Sequence, residues 1–343
     1  MNSVQNKQRN PTIDVFRLIC AVLVVAIHTS PFSELGTGAE YLFREIVPRI
    51  AVPFFFATAG YFYIGKLERG DRCFFPYIKK TLLIYGLWSI PYFIQSFLEW
   101  GHLNPAAFVV ECAYSFLVIG SSYHFWFFPA LIVCVCVTTA AYRLRIQRFL
   151  LPVGILLYVT GCFGCSYHAI GARIPLLKAL YLSGSFTLIR RILMMGLTFF
   201  LCGHHARMLQ ARIKRPFAGR FAWSVIAVFV LLWLVEIGVV LAAKWQRTIV
   251  ITLFLYPLLL VTLLYLLQNP KPHLEPYAPR CRAAANFMYY AHPLYLTIML
   301  IAADTAGISI SPTIQFLLTV FLTACSSQLI RRSDNRFLRL LIS

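Results

Sequence analysis

The sequence predicts an all-α, polytopic integral membrane protein of about ten transmembrane helices, with both termini in the cytoplasm. Three observations point there. Of 343 residues, 59% are hydrophobic and 13% charged, and the mean hydropathy is +0.73, which is more apolar surface than a water-soluble core can hide. Apolar runs long enough to cross ~30 Å of hydrocarbon recur along the whole chain. Lysine and arginine collect in every second connection between those runs.

Taken in order, the predicted spans lie near 13–32, 46–65, 80–98, 124–142, 149–167, 187–206, 220–241, 248–267, 284–304 and 312–330. The first follows the polar segment MNSVQNKQRNP and closes on His-Thr-Ser-Pro. No positively charged n-region followed by a short apolar stretch and a small-residue cleavage site appears at the start, so the run is expected to stay in the membrane. The fifth is interrupted by Gly161 and Gly164. Alternate connections carry 22 and 8 basic residues, with Arg17 alone inside a span, and the richer side includes both ends of the chain. That asymmetry places both termini in the cytoplasm of a multi-pass plasma-membrane protein, as in a bacterial inner membrane. The net charge of +19 is then a topological signal, so the partner it implies is the lipid bilayer and not nucleic acid. No tandem repeat or low-complexity tract divides the chain. Residues 1–343 are expected to form one membrane domain with short cytoplasmic tails at 1–12 and 331–343.

The most informative run is DVFRLICAVLVVAIHTSP in the first span, where Arg17 and His28 stand eleven positions apart. At about 100° and 1.5 Å per residue, eleven steps return both side chains to one helix face, separated by about 16 Å along the axis. An ionisable group at membrane depth costs at least ~2.5 kcal/mol, so two on one stripe suggest function. The plainer reading is that Arg17 snorkels to the surface and His28 caps the outer end. Asp14, three residues before Arg17, either orients the guanidinium or complements the helix dipole.

Further residues are candidates for substrate contact. His124 opens the fourth span beside Trp126, whose aromatic neighbours equally fit an interfacial belt. His292 precedes Pro293, which frees a backbone carbonyl, so this imidazole either serves the site or satisfies that carbonyl. Glu236 lies well inside the seventh span with no partner legible in the sequence. Arg190 and Arg191 open the sixth span, suited to an anionic acceptor or to anchoring. The ten cysteines fall mostly in apolar runs, and the Cys162/Cys165 pair has no second pair to complete a metal site, so no metal is expected.

Together the Arg-x10-His run, VPFFFATAGYF at 52–62, HFWFFPALI at 124–132 and MYYAHPLYL at 288–296 resemble acyltransferase family 3. These are integral membrane O-acyltransferases that modify cell-surface glycans, and the resemblance covers essentially the whole chain. It is nearest to the membrane domains of vancomycin-resistance serine racemases. It implies an acyl-CoA donor, usually acetyl-CoA, entering from the cytoplasm, and a hydroxyl on an extracytoplasmic glycan or related acceptor. Arg17 would then engage donor phosphate and His28 act as general base. The family commonly carries an arginine pair at the start of the third span. This chain has Lys79 and Lys80 there, and Arg69 and Arg72 some ten residues earlier, so the two lysines are expected to help bind the donor as point charges. No Gly-rich phosphate loop, HExxH or GxSxG is present. The competing expectation is a transporter for a small molecule such as serine, although no internal symmetry between halves is evident.

Overall fold

A side-chain cap and a proline start the first helix: Asn10 accepts the Thr12 N–H, Pro11 occupies the first turn, and α1 runs Pro11–Thr29 to a left-handed cap at Ser30. The computed structural model describes residues 10–213 and 215–342. Lys7, Arg9, the first nine residues of the expected N-terminal tail, and Lys214 lie outside the described residues. After α1 come α2 (Thr37–Glu68), α3 (Phe74–Gly101), α4 (Pro105–Ile119), α5 (Phe127–Arg143), α6 (Gln147–Gly164), α7 (Phe186–Arg212) and α8 (Gly219–Ala242). They are followed by α9 (Leu255–Gln268), α10 (Ala278–Thr305) and α11 (Pro312–Arg332). A helix stands at each predicted position, and no strand occurs among the described residues. Seven helices are long and apolar enough to cross a membrane, namely α1, α2, α3, α6, α7, α8 and α11. The apolar helices α4, α5 and α9 are shorter.

Two local departures from the predicted spans have physical causes. First, a connection is expected at 99–123, but Asn104 caps the Ala107 N–H, Pro105 starts a turn, and α4 forms over an apolar run. Its far end returns along α3: the Tyr85 hydroxyl donates to the Phe116 carbonyl at 2.9 Å and accepts the Ser121 N–H at 3.0 Å. Tyr85 lies near the middle of α3, so α4 is a re-entrant helix whose irregular end is satisfied by protein groups. Second, the span expected at 248–267 becomes helical only from Leu255. Residues 249–254 are irregular, with Ile251 and Thr252 fully buried. Their backbone is served by side chains: Ser166 Oγ donates to the Ile251 carbonyl at 2.6 Å, and the Tyr158 hydroxyl donates to the Thr252 carbonyl. Non-helical backbone at membrane depth survives only where such partners exist.

The described chain forms two compact units. The first holds residues up to Ala51, 215–223 and 262–343. In it α1 and α10 run parallel, since Asp14 meets Arg282 near their starts and His28 meets His292 further on. α11 runs antiparallel to both, with Thr313 beside Phe32 and Gln328 beside Arg280. The second unit holds 52–214 and 224–261. There α2 and α7 touch backbone to backbone at Gly60 and Gly203, where a Cβ would collide with the Phe200 and Ala57 carbonyls. The far end of α2 is clamped by Glu68, which accepts two hydrogen bonds from Arg207 at 2.8 and 2.6 Å.

Candidate active site

In the first unit, the seam between α1 and α10 gathers Asp14, Arg17, His28 and His292. Asp14 is buried, 6% exposed, and both of its oxygens are taken by Arg282, at 3.1 and 2.5 Å. The expectation that Asp14 orients Arg17 is therefore corrected: the fold brings a second arginine from α10 to the carboxylate. Arg17 is half-buried, its Nε is buried without a hydrogen-bond partner, and no ion pair engages it among the described residues. Tyr290 of α10, itself buried, lies within range of the Arg17 charge. Arg17 is thus a cation on an apolar helix with no carboxylate paired to it among the described residues.

His28 stands at the end of α1 and remains exposed, while His292 is fully buried. Their rings stack at 5.2 Å with planes 23° apart. His292 Nδ1 lies 3.0 Å from the Met288 carbonyl and 3.1 Å from the Tyr289 carbonyl. Tyr289 is four residues before Pro293 and so lacks the usual helical N–H donor; His292 supplies one. That geometry assigns the proton to Nδ1 and leaves Nε2 as the lone-pair nitrogen. His292 accordingly does what the plainer sequence reading anticipates, and in doing so it presents a fixed ring face to His28.

The remaining predicted residues lie in the second unit. His124 is buried among Tyr92, Tyr123 and Phe125, with ring centroids at 5.3, 5.4 and 4.0 Å. Trp126 packs on Phe56 at 5.9 Å and carries the Arg191 guanidinium over its ring at 5.8 Å. Gly120 fits this turn because its φ is +101° and a Cβ there would press on the Phe125 and Trp126 backbone. Lys79 and Lys80 are exposed on the first turns of α3. Beside them, Asp71, Arg72, Cys73, Phe74, Tyr142 and Arg143 line a cavity of about 430 Å³. The sequence reading passes over Arg143, whose guanidinium sits 5.6 Å from the Phe74 ring centroid, because a loop arginine reads as topology.

Glu236 proves to be occupied by the protein. One carboxylate oxygen accepts from the Tyr167 hydroxyl at 2.8 Å and the Leu253 N–H at 2.5 Å, and the other from the Phe254 N–H at 2.9 Å. The expected substrate contact gives way to a structural role: this carboxylate closes the backbone of the irregular segment before α9. Cys162 and Cys165 are buried and not joined in a disulfide, and no cluster of three metal-binding side chains occurs among the described residues.

Comparison with known proteins adds a family. Residues 10–332 match the acyltransferase domain of family 3. An amino-acid racemase of Enterococcus faecalis is 33% identical over 169 residues, covering 49% of this chain and 24% of the relative. A serine/alanine racemase of Enterococcus gallinarum is 32% identical over 177 residues, covering 49% of this chain and 25% of the relative. The chain thus spans about a quarter of the length of the curated relatives it matches. No solved structure matches. A match running almost from end to end, on an all-helical chain with several apolar helices long enough to cross a bilayer, settles the class: the chain belongs to acyltransferase family 3 and carries its membrane acyltransferase domain.

Proposed function

We propose that the protein moves an acetyl or similar acyl group from cytoplasmic acyl-CoA to a hydroxyl of a cell-surface glycan or related extracytoplasmic acceptor. The observation that carries this reading is the division of labour along α1. Asp14 is consumed by Arg282, Arg17 is left without an acidic partner, and an exposed His28 stands about 16 Å further along the same helix. A donor phosphate or pyrophosphate suits the Arg17 fork, and an extended pantetheine arm covers a distance of that order. Within the second unit, Lys79 and Lys80, and Arg72 and Arg143, which share a cavity, are separate cations suited to phosphate.

In the transfer step His28 takes the proton of the acceptor hydroxyl as its oxygen attacks the thioester carbonyl. The carbon–sulfur bond then breaks, the ester forms, and the imidazolium returns the proton to the leaving thiolate. The role of His292 is to hold its neighbour's ring, through a face fixed by two carbonyls. In this reading the multi-pass protein lies in the plasma membrane with both termini in the cytoplasm.

Purified protein in nanodiscs is expected to bind radiolabelled acetyl-CoA saturably. Arg17→Ala should weaken that binding about tenfold or more, a charge-assisted contact being worth ~1.5–3 kcal/mol. His28→Ala should abolish transfer while leaving most of the binding. Absence of saturable acetyl-CoA binding, with uptake of labelled serine into proteoliposomes, would overturn the reading in favour of a transporter.

A further inference from the structure

Within the second unit, the re-entrant helix α4 encloses a cavity of about 340 Å³ against the outer half of α3 and the start of α7. Its wall includes Trp100, Phe108, Glu111, Ser115, Ser122 and Arg191. The volume falls at the lower end of small-ligand sites and suits a single ring-sized group. Arg191 is half-buried, its guanidinium carbon lies over the Trp126 ring at 5.8 Å from the centroid, and no carboxylate pairs with it among the described residues. An arginine inside an apolar helix normally faces an acid or a functional cavity, and this one faces a cavity. The contact with Trp126 offers the guanidinium a cation–π support, and its fork of N–H groups can receive a carboxylate or phosphate through two parallel hydrogen bonds.

The other walls describe the rest of the ligand. Trp100 and Phe108 meet edge to face at 5.5 Å and offer apolar surface to the carbon–hydrogen face of a saturated ring. The Ser115 hydroxyl, whose proton goes to the Cys112 carbonyl, and Glu111 accept hydrogen bonds, and Ser122 can donate or accept, so hydroxyls rather than more charge fit between the aromatic wall and the arginine. We infer that this cavity binds an acidic sugar unit, a hydroxyl-bearing ring carrying a carboxylate or a phosphate, as part of the acceptor. The inference rests on the acyl-transfer reading for the word acceptor, but the binding site stands or falls by itself.

The test uses the full-length protein in nanodiscs of neutral lipid and follows tryptophan fluorescence as glucuronate, glucose 6-phosphate, glucose or inorganic phosphate is added. Glucuronate and glucose 6-phosphate should quench saturably, with glucose about tenfold weaker or more for want of the charge-assisted contact. Arg191→Gln should weaken the acidic sugars by a similar factor, Arg191→Lys should restore part of the affinity, and Trp100→Ala should weaken both sugars. Equal binding of glucose and glucuronate, or indifference to Arg191→Gln in protein that keeps its unfolding temperature, would overturn the proposal. So would inorganic phosphate binding as tightly as glucose 6-phosphate, or displacement of the sugars by phosphatidylglycerol, which would make this an anion or lipid-headgroup site. Acetyl-CoA binding, measured on the same samples, separates the two ideas. Loss of sugar binding with acetyl-CoA binding intact removes only this site, whereas sugar binding without acetyl-CoA binding removes only the acyl-transfer reading.

Discussion

Asp14 illustrates how far a residue's neighbours along the chain can mislead about its partner. Three-residue spacing on a helix offers it Arg17, but Arg282, 268 positions later, makes the bidentate contact. Asp14→Asn leaves a half-exposed arginine facing a neutral amide, so roughly 2 kcal/mol of stability should be lost, below the figure for a fully buried pair because water still reaches Arg282. A thermal unfolding series on Asp14→Asn and Asp14→Ala measures this, and unchanged midpoints would show that the pair contributes nothing. Glu236 carries the same lesson. Its place inside an apolar run is visible in the sequence, whereas the two backbone N–H groups it accepts from exist only because the chain fails to be helical before α9. His292 was more legible, since Pro293 announces which carbonyl lacks a donor.

At the level of elements, the link between α1 and α2 fixes where His28 ends up. Ser30 and Phe32 take positive φ, 50° and 64°, and Gly36 takes 110°. Such a path needs outside support. Support comes from α11: Glu34 accepts the Thr313 N–H at 3.1 Å and the Thr313 hydroxyl at 2.8 Å, and that hydroxyl accepts the Phe32 N–H at 2.8 Å. The Thr313 backbone N–H, helped by its hydroxyl, holds the Glu34 carboxyl down at about 2 rather than the usual 4.5. A depressed carboxylate adds stability that is complete above its unfolded value and disappears as the pH falls through its folded value. The α1–α11 junction should therefore hold above about pH 4.5 and loosen between there and about pH 2. Hydrogen exchange on residues 30–36 should show that acid loosening, and Glu34→Gln should remove it; identical profiles in the two proteins would refute the latch. The re-entrant α4, by contrast, was hidden from a reading by length, because fifteen apolar residues without a basic flank resemble an unstructured connection as much as a half-span.

Over the whole molecule the basic residues make the strongest claim. A division of 22 to 8 between alternate connections predicts both ends of the chain on one side. Protease-cleavable tags at either end should resist protease in intact cells and be lost after permeabilisation, and cleavage of either tag from outside would break the topology.

By itself the sequence determined that this is a helical membrane protein, roughly where its helices lie, and that α1 carries an arginine and a histidine on one face. Hydropathy, charge asymmetry and helical period are properties of neighbours along the chain, so they can be read without coordinates. Which carboxylate meets which arginine, which imidazole is spent on a carbonyl, and that α4 turns back to close a cavity around Arg191 were decided by the tertiary structure alone. Those outcomes depend on contacts between residues dozens to hundreds of positions apart, and each is fixed by the need to satisfy buried polar groups where water is scarce.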